Sequence, residues 1–339
     1  MKGFLAALFS VIPLFGWAQG SPLIQSAQVF DGESCWSGNH ASYERWRAQV
    51  AGKIATRNLP EKKAAKALEN FEQFFPVSQY LQYRDRLECE TFIYEVDGAA
   101  VRGFVIRPKG AEKSLPVVVY NRGGNGDFGA VTFSSMMRNL FPVADRGFVV
   151  VGSQYRGTFA APDSDGPSDE FGGRDIEDVR ALFDLVPAIR GADAKRIGMW
   201  GHSRGGIQTF MTARSGVPVK ALVVAAGVAD LSAGLAQRPD MEAVFRKRIP
   251  EFDRDRMAAL KKRSVLLWAE ELDRNLPILL LHGTADEKVS VEQSRVLAQK
   301  FQALGHRYSL VEFEGDNHGF NNNREAYLRS VSDWFNRFL

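Results

Sequence analysis

Gly201-His202-Ser203-Arg204-Gly205-Gly206 follows the apolar run Arg196-Ile197-Gly198-Met199-Trp200 and leads into a helix-compatible stretch. A serine held on a sharp strand-to-helix turn between small residues is the arrangement of a nucleophile elbow. The glycines have a steric reason, because side chains flanking the serine would collide with the adjoining strand and helix. The turn lifts Ser203 above the sheet edge. There the backbone N–H of Arg204 points where an oxyanion would form, and the dipole of the following helix favours negative charge at the same spot.

A lone G-x-S-x-G also fits an ordinary glycine-rich turn, so the partners decide the reading. On such a fold the order is Ser, then an acid, then His. Downstream, the buried run Pro277-Ile278-Leu279-Leu280-Leu281 delivers Asp286, and a second strand-like run, Arg307 to Phe313, ends in a loop carrying His318. The chain has five histidines. His40 and His306 read as surface residues, and His202 occupies a variable elbow position pointing away from the substrate side. His282 is the rival base, but it precedes the acid in the chain and is expected to pack or hydrogen-bond beneath the acid loop. The expected machinery is therefore Ser203 as nucleophile, His318 as general base and Asp286 as the group that fixes the imidazole tautomer.

At 339 residues, 45% hydrophobic and 24% charged, the chain can bury a large core, and one α/β domain with an accessory segment fits that length. The formal charge of +3 is spread along the chain, so neither nucleic acid nor an anionic membrane surface is implied as a partner. Met1-Lys2-Gly3 and the apolar stretch from Phe4 to Phe15 have the charged start and short core of a secretory signal, with Gly16-Trp17-Ala18 offering small residues for cleavage. Residues 1–18 are thus expected to be a signal peptide and the mature protein to be secreted or periplasmic. Cys35 and Cys89 are consistent with that compartment. They could close a disulfide across the N-terminal segment, or lie buried as two free thiols.

Residues 19–90 read as a helical accessory segment. Tyr43, Trp46, Val50 and Ile54 recur at helical spacing, as do Ala64, Ala67, Leu68, Phe71 and Phe75. From residue 91 to 339 strands alternate with helices. A hairpin around Asp97-Gly98 comes first, followed by apolar runs at 116–120, 147–152, 195–200, 219–225, 277–281 and 307–313. Helical stretches fall near 133–145, 174–190, 203–214, 290–304 and 323–338. This is the pattern of a mostly parallel, doubly wound sheet with helices on both faces. The three triad candidates follow strand ends, where ligands bind on such sheets. A charged, helix-prone insertion at 229–271 is placed to border the site as a partial lid.

The elbow, the Asp286 strand and the His318 loop together resemble the catalytic domain of the prolyl oligopeptidase family, over about residues 91–339. Gln154-Tyr155-Arg156-Gly157-Thr158, Glu170-Phe171-Gly172-Gly173-Arg174-Asp175 and Arg263 to Glu270 add to the likeness. The resemblance implies an α/β-hydrolase fold and hydrolysis of a peptide or related acyl bond, with no cofactor and no metal. Two departures stand out. The segment before the domain is too short for the family's β-propeller. Arg122 also stands near the place where the family often carries an oxyanion tyrosine, so a backbone donor from Gly123 or Gly124 would complete the hole begun by Arg204.

Asp163-Ser164-Asp165-Gly166 lacks the full ligand ladder of a calcium loop. Asp175, Glu177 and Asp178 suit a helix's first turn. Arg122, Tyr155 and Arg156 are the substrate-binding candidates, the two arginines being the cations expected nearest the scissile group. The expected substrate is a short peptide or amide, with a small acyl ester as the alternative and a catalytically silent binding protein as the third reading.

Overall fold

Valine- and leucine-rich runs that cannot face water on either side form the middle of a nine-stranded sheet in the computed structural model, which describes residues 21–111, 113–160, 166 and 168–339. The expected signal segment 1–18, with Asp163 and Asp165, lies outside the described residues. The strands are β1 (Val29–Ser34), β2 (Leu87–Val96), β3 (Ala99–Pro108), β4 (Leu115–Asn121), β5 (Val149–Ser153), β6 (Ala192–His202), β7 (Ala221–Ala225), β8 (Ile278–Gly283) and β9 (Tyr308–Phe313). Their order is β1-β2-β3-β5-β4-β6-β7-β8-β9. Everything from β5 to β9 pairs parallel, and β1, β2 and β3 add an antiparallel flank through β3 against β5. The β2–β3 hairpin turns on Asp97 and Gly98 alone, both at positive φ, 51° and 73°, as a tight hairpin requires.

Helices cover both faces. They are α1 (Tyr43–Ala55), α2 (Glu61–Phe74), α3 (Val77–Arg86), α4 (Phe133–Ser135), α5 (Phe141–Ala144), α6 (Asp175–Leu185), α7 (Gly205–Arg214), α8 (Leu231–Gln237), α9 (Met241–Arg248), α10 (Arg256–Lys262), α11 (Glu292–Leu304) and α12 (Arg324–Phe338). A π turn, Met136–Leu140, joins α4 to α5. One face of the sheet is closed by Val179, Leu182, Phe210, Leu297 and Phe301. The other is closed by Trp46, Tyr80, Met137, Phe141, Val331 and Phe335. Each such side chain contributes roughly 1.5–3 kcal/mol by leaving water. A third cluster, including Phe171, Ile207, Leu231, Phe245 and Leu260, anchors the inserted helices α8, α9 and α10. Among the described residues no helix is long and apolar enough to cross a membrane.

The segment 19–90 departs from the purely helical expectation. It contains the edge strand β1, the third helix α3 and the start of β2. Val-Phe-Asp-Gly-Glu-Ser has too little apolar alternation to announce a strand. β1 forms because β2 offers it a ladder, Val29 opposite Tyr94 and Ser34 opposite Glu90. Cys35 and Cys89 are joined by a disulfide, with their Cα atoms 5.3 Å apart. It staples the chain after β1 to β2.

Two histidines also differ from expectation. The His40 ring stacks on Phe133 at 4.1 Å, so the N-terminal segment packs on α4 rather than leaving this residue in water. His306 is buried, with its ring Nε2 3.0 Å from the carbonyl oxygen of Ala269.

Candidate active site

β6 ends at His202 and α7 begins at Gly205, which leaves Ser203 and Arg204 to make the turn. Ser203 sits at φ 57°, a conformation that costs a non-glycine residue energy and is held by its surroundings. Its own N–H is fixed by the carbonyl of Ala225 at 2.8 Å. The turn is so tight that a Cβ at Gly205 would lie 1.9 Å from the carbonyl oxygen of Asn121, so no larger residue fits there.

Asp286 and His318 come from the loops that follow β8 and β9. His318 Nδ1 lies 2.7 Å from Asp286 Oδ2. The other carboxylate oxygen accepts the N–H groups of Lys288 and Val289 at 2.8 and 3.0 Å. Burial alone would raise the Asp286 pKa, but hydrogen bonds from His282 and His318 hold it well below the usual carboxylate range. His282 is fully buried beneath this loop. Its Nδ1 lies 2.7 Å from Ser294 Oγ, and its Nε2 lies 2.9 Å from the Val289 carbonyl oxygen and 3.3 Å from Asp286. Ser203 and His318 line the same cavity without a mutual hydrogen bond, as is common before substrate closes the gap.

His202 corrects the sequence reading. It does not point away from the site: it lines the cavity, and its ring lies 4.9 Å from that of His318. Burial, with His318 adjacent, pushes its pKa down to about 3, so the ring is neutral.

Gly123 and Gly124 follow β4 and face the nucleophile. A methyl at Gly123 would stand 3.0 Å from Ser203 Cβ, and Gly124 adopts φ 72°. Among the described residues the N–H groups of Gly123, Gly124 and Arg204 donate to no protein acceptor. They are the donors available to an oxyanion.

The three substrate-binding candidates are not placed to touch a substrate's scissile group. Arg122 is buried behind the loop, where it donates to the carbonyls of Gly123, Gly126 and Gln154. Tyr155 is buried at φ 63° and donates to the Arg122 carbonyl at 3.0 Å. Arg156 grips Asp178, with Nη2 2.6 Å from Oδ1. Sequence shows charge and aromaticity there but not direction, and all three face inward. Beside them the Arg204 side chain donates to the Gly124 carbonyl at 2.8 Å and pairs with Asp169 at 3.0 Å and Asp175 at 2.5 Å. Its guanidinium lies between the rings of Tyr155 and Phe171. Arg122 and Arg204 thus clamp the carbonyls of Gly123 and Gly124 from behind. Asp175 also caps the N–H groups of Glu170, Gly172 and Gly173. Although burial would raise its pKa, Arg204 and these donors keep it ionised.

The triad candidates open on a cavity of about 640 Å³. One wall comes from the chain after β4, with Phe128, Val131 and Leu140. The opposite wall is Val228 and the insertion that follows it, with Leu231, Met241, Val244 and Phe245. The charged, helix-prone insertion borders the site, as its place in the chain predicts. Its helices turn their charges outward and present this apolar stripe to the site. Arg238, Asp240 and Lys288 stand among the few charged residues on the lining.

The profile of the prolyl oligopeptidase family matches residues 134–339, which includes the elbow, Asp286 and His318. The chain belongs to the prolyl oligopeptidase family. Its membership and its relatives make it a hydrolytic enzyme of the serine-peptidase kind. The uncharacterized peptidase YtmA of Bacillus subtilis is 28% identical over 220 residues, covering 63% of this chain and 79% of that protein. Dipeptidyl-peptidase 5 of Porphyromonas gingivalis is 23% identical over 262 residues, covering 75% of this chain but only 38% of the relative. Among solved structures, the acylaminoacyl peptidase of Pyrococcus horikoshii superposes with a TM-score of 0.61 at 23% identity, over 76% of this chain and 43% of that one. That likeness speaks for the α/β-hydrolase fold. The chain therefore spans less than half of these two longer family members.

Proposed function

We propose that this protein is a serine peptidase that cleaves peptide or amide bonds of short substrates through an acyl-enzyme. Neutral His318 takes the Ser203 proton as Oγ attacks the acyl carbon, and Asp286 stabilises the imidazolium that forms. The oxyanion is met by N–H groups of Arg204 and of Gly123 or Gly124. His318 then hands its proton to the leaving amine, and water repeats the cycle on the ester. The observation that carries this reading is the 2.7 Å contact of His318 Nδ1 with Asp286 at a cavity that also holds Ser203 at positive φ. An acylaminoacyl peptidase of the same fold has been captured with Z-Gly-Gly-Phe-chloromethyl ketone, which supports a peptide as substrate. The apolar wall suits a hydrophobic side chain on the acyl side, and the bounded volume favours short substrates.

The test is a matched panel of aminoacyl amides and short-chain esters, read for wild type and Ser203→Ala, with fluorophosphonate labelling alongside. Ser203→Ala should abolish both labelling and turnover. Amide turnover undetectable beside rapid ester turnover would make the enzyme a carboxylesterase. Absence of labelling in the wild type would leave a binding protein on a hydrolase scaffold.

Export belongs to the same proposal. The composition of residues 1–18 and the Cys35–Cys89 bridge support it. N-terminal sequencing of protein recovered outside the cytoplasm should begin near Gln19; an intact Met1 there would overturn the cleavage site.

A further inference from the structure

Beneath the His318 loop lies a second, smaller cavity of about 170 Å³, lined by Arg138, Trp200, Phe320, Arg324 and Tyr327. It shares Tyr120, Asn139 and His202 with the main cavity, so the two adjoin at the elbow. Two guanidinium groups face this space, and among the described residues every partner they have is neutral. Arg138 donates to the Asn321 side chain, and Arg324 donates to the Asn139 side chain and to the Gly319 carbonyl. The nearby acids are engaged elsewhere. Asp316 accepts the N–H groups of Asn317, Asn322 and Asn323, and Glu325 pairs with Arg146.

Two like charges held close in a partly buried space cost free energy that an anion between them would offset. Arg324 Nε is buried without a hydrogen-bond partner. Burial and the neighbouring Arg138 lower the Arg324 pKa to about 10, so the group remains charged at neutral pH. Arg138 is steadied from the far side by the ring of Phe74 in α2, 5.1 Å from its guanidinium carbon. The N-terminal segment, which brings no chemical group of its own, therefore helps to aim this cation.

The position of the cavity indicates which part of a substrate would reach it. Gly319, Phe320 and Asn321 form its rim and directly follow His318, the residue that protonates the leaving group. We propose that the Arg138–Arg324 cavity is a carboxylate subsite for the leaving-group side, so that the enzyme prefers short substrates with a free C-terminal carboxylate just beyond the scissile bond. This deepens the peptidase reading and rests on it.

The experiment compares two N-blocked dipeptides that differ only in a free or an amidated C-terminus. In the wild type kcat/KM should favour the free carboxylate at least tenfold, mostly through KM, with the preference shrinking as salt rises. Arg138→Gln and Arg324→Gln should each bring the carboxylate-to-amide ratio towards one, and Arg138→Lys should restore part of it. The ratio is taken within each variant, so a general loss of activity cancels. Arg138 is half-exposed, so its variants carry the test if Arg324→Gln fails to fold. Equal rates for the two dipeptides in the wild type, or an unchanged ratio in the Arg138 variant, would overturn the subsite and leave the peptidase reading standing. Failure to hydrolyse either dipeptide would count against the peptidase reading itself. The relative Kd of the pair on Ser203→Ala protein would then judge the subsite, with equal affinities rejecting it.

Discussion

His202 Nε2 lies 2.9 Å from the main-chain carbonyl oxygen of His318, so the residue beside the nucleophile is tied to the backbone of the proposed base. A neutral imidazole bearing its proton on Nε2 donates this bond, and the low His202 pKa keeps it in that state. His202→Phe keeps a ring but loses the donor. It should lower kcat by roughly 10- to 100-fold with little change in KM, because the His318 loop loses its register against Ser203. His202→Gln should recover part of that loss. Equal losses in the two variants would mean that the ring's bulk matters and the hydrogen bond does not.

The same histidine sets a pH limit on stability. Its folded pKa of about 3 lies below the value near 6.5 it would have in the unfolded chain. The stabilisation is therefore fully present above about pH 6.5 and is lost as the pH falls towards 3, at up to about 1.4 kcal/mol per pH unit. Asp286, also depressed, adds a loss confined to pH below about 4. Urea unfolding of wild type and His202→Gln at pH 7, 5.5 and 4 should show a shallower acid decline in the variant. Parallel curves would contradict the assignment.

Arg204 holds two fully buried carboxylates, Asp169 and Asp175, while bracing Gly124. Arg204→Met leaves Asp175 with backbone donors but no cation and Asp169 with only the 3.7 Å contact of Arg248 for a cation, and should cost about 3–5 kcal/mol. Arg204→Lys should recover only part of this, since an ammonium cannot match the planar fork between two rings and three acceptors. Denaturant midpoints at pH 7 provide the measurement; a Met variant as stable as wild type would mean that the network contributes little.

Reducing the Cys35–Cys89 bridge, or replacing either cysteine by serine, should lower stability by about 2–4 kcal/mol through the freedom returned to the unfolded chain. Labelling of Ser203 should survive at 25 °C, because the staple holds β1 to β2 at the opposite flank of the sheet from β8 and β9, which lead to Asp286 and His318. Loss of labelling on reduction, with the fold retained, would show that the flank and the site are coupled.

Some of this was legible in the sequence because local chemistry and tertiary demand agree. β7 and β8, and β6 from Ile197 to Gly201, are buried on both faces and carry no charged residue there, and Ser203 is marked by glycines that the turn itself requires. β1 was not legible, since its strand character comes from β2. The inward direction of Arg122, Tyr155 and Arg156 was hidden for a related reason: a charged or aromatic letter does not say whether its partner is a substrate or a carbonyl of the same chain. Arg138 and Arg324 carried no local signal at all. They meet only because the π turn after α4 and the start of α12 close on the same small space.

The apolar wall opposite the 123–131 loop hangs between the ends of β7 and β8, and its helices rest on a small cluster around Phe245 and Leu260 that reaches the main domain through Phe171 and Ile207. Insertions or deletions there would leave the strand register of Ser203, Asp286 and His318 untouched. Lineages could therefore exchange this cassette wholesale and acquire new acyl-side tastes without rebuilding the reaction centre, so divergence in diet should concentrate in residues 228–245 while the catalytic strands stand still.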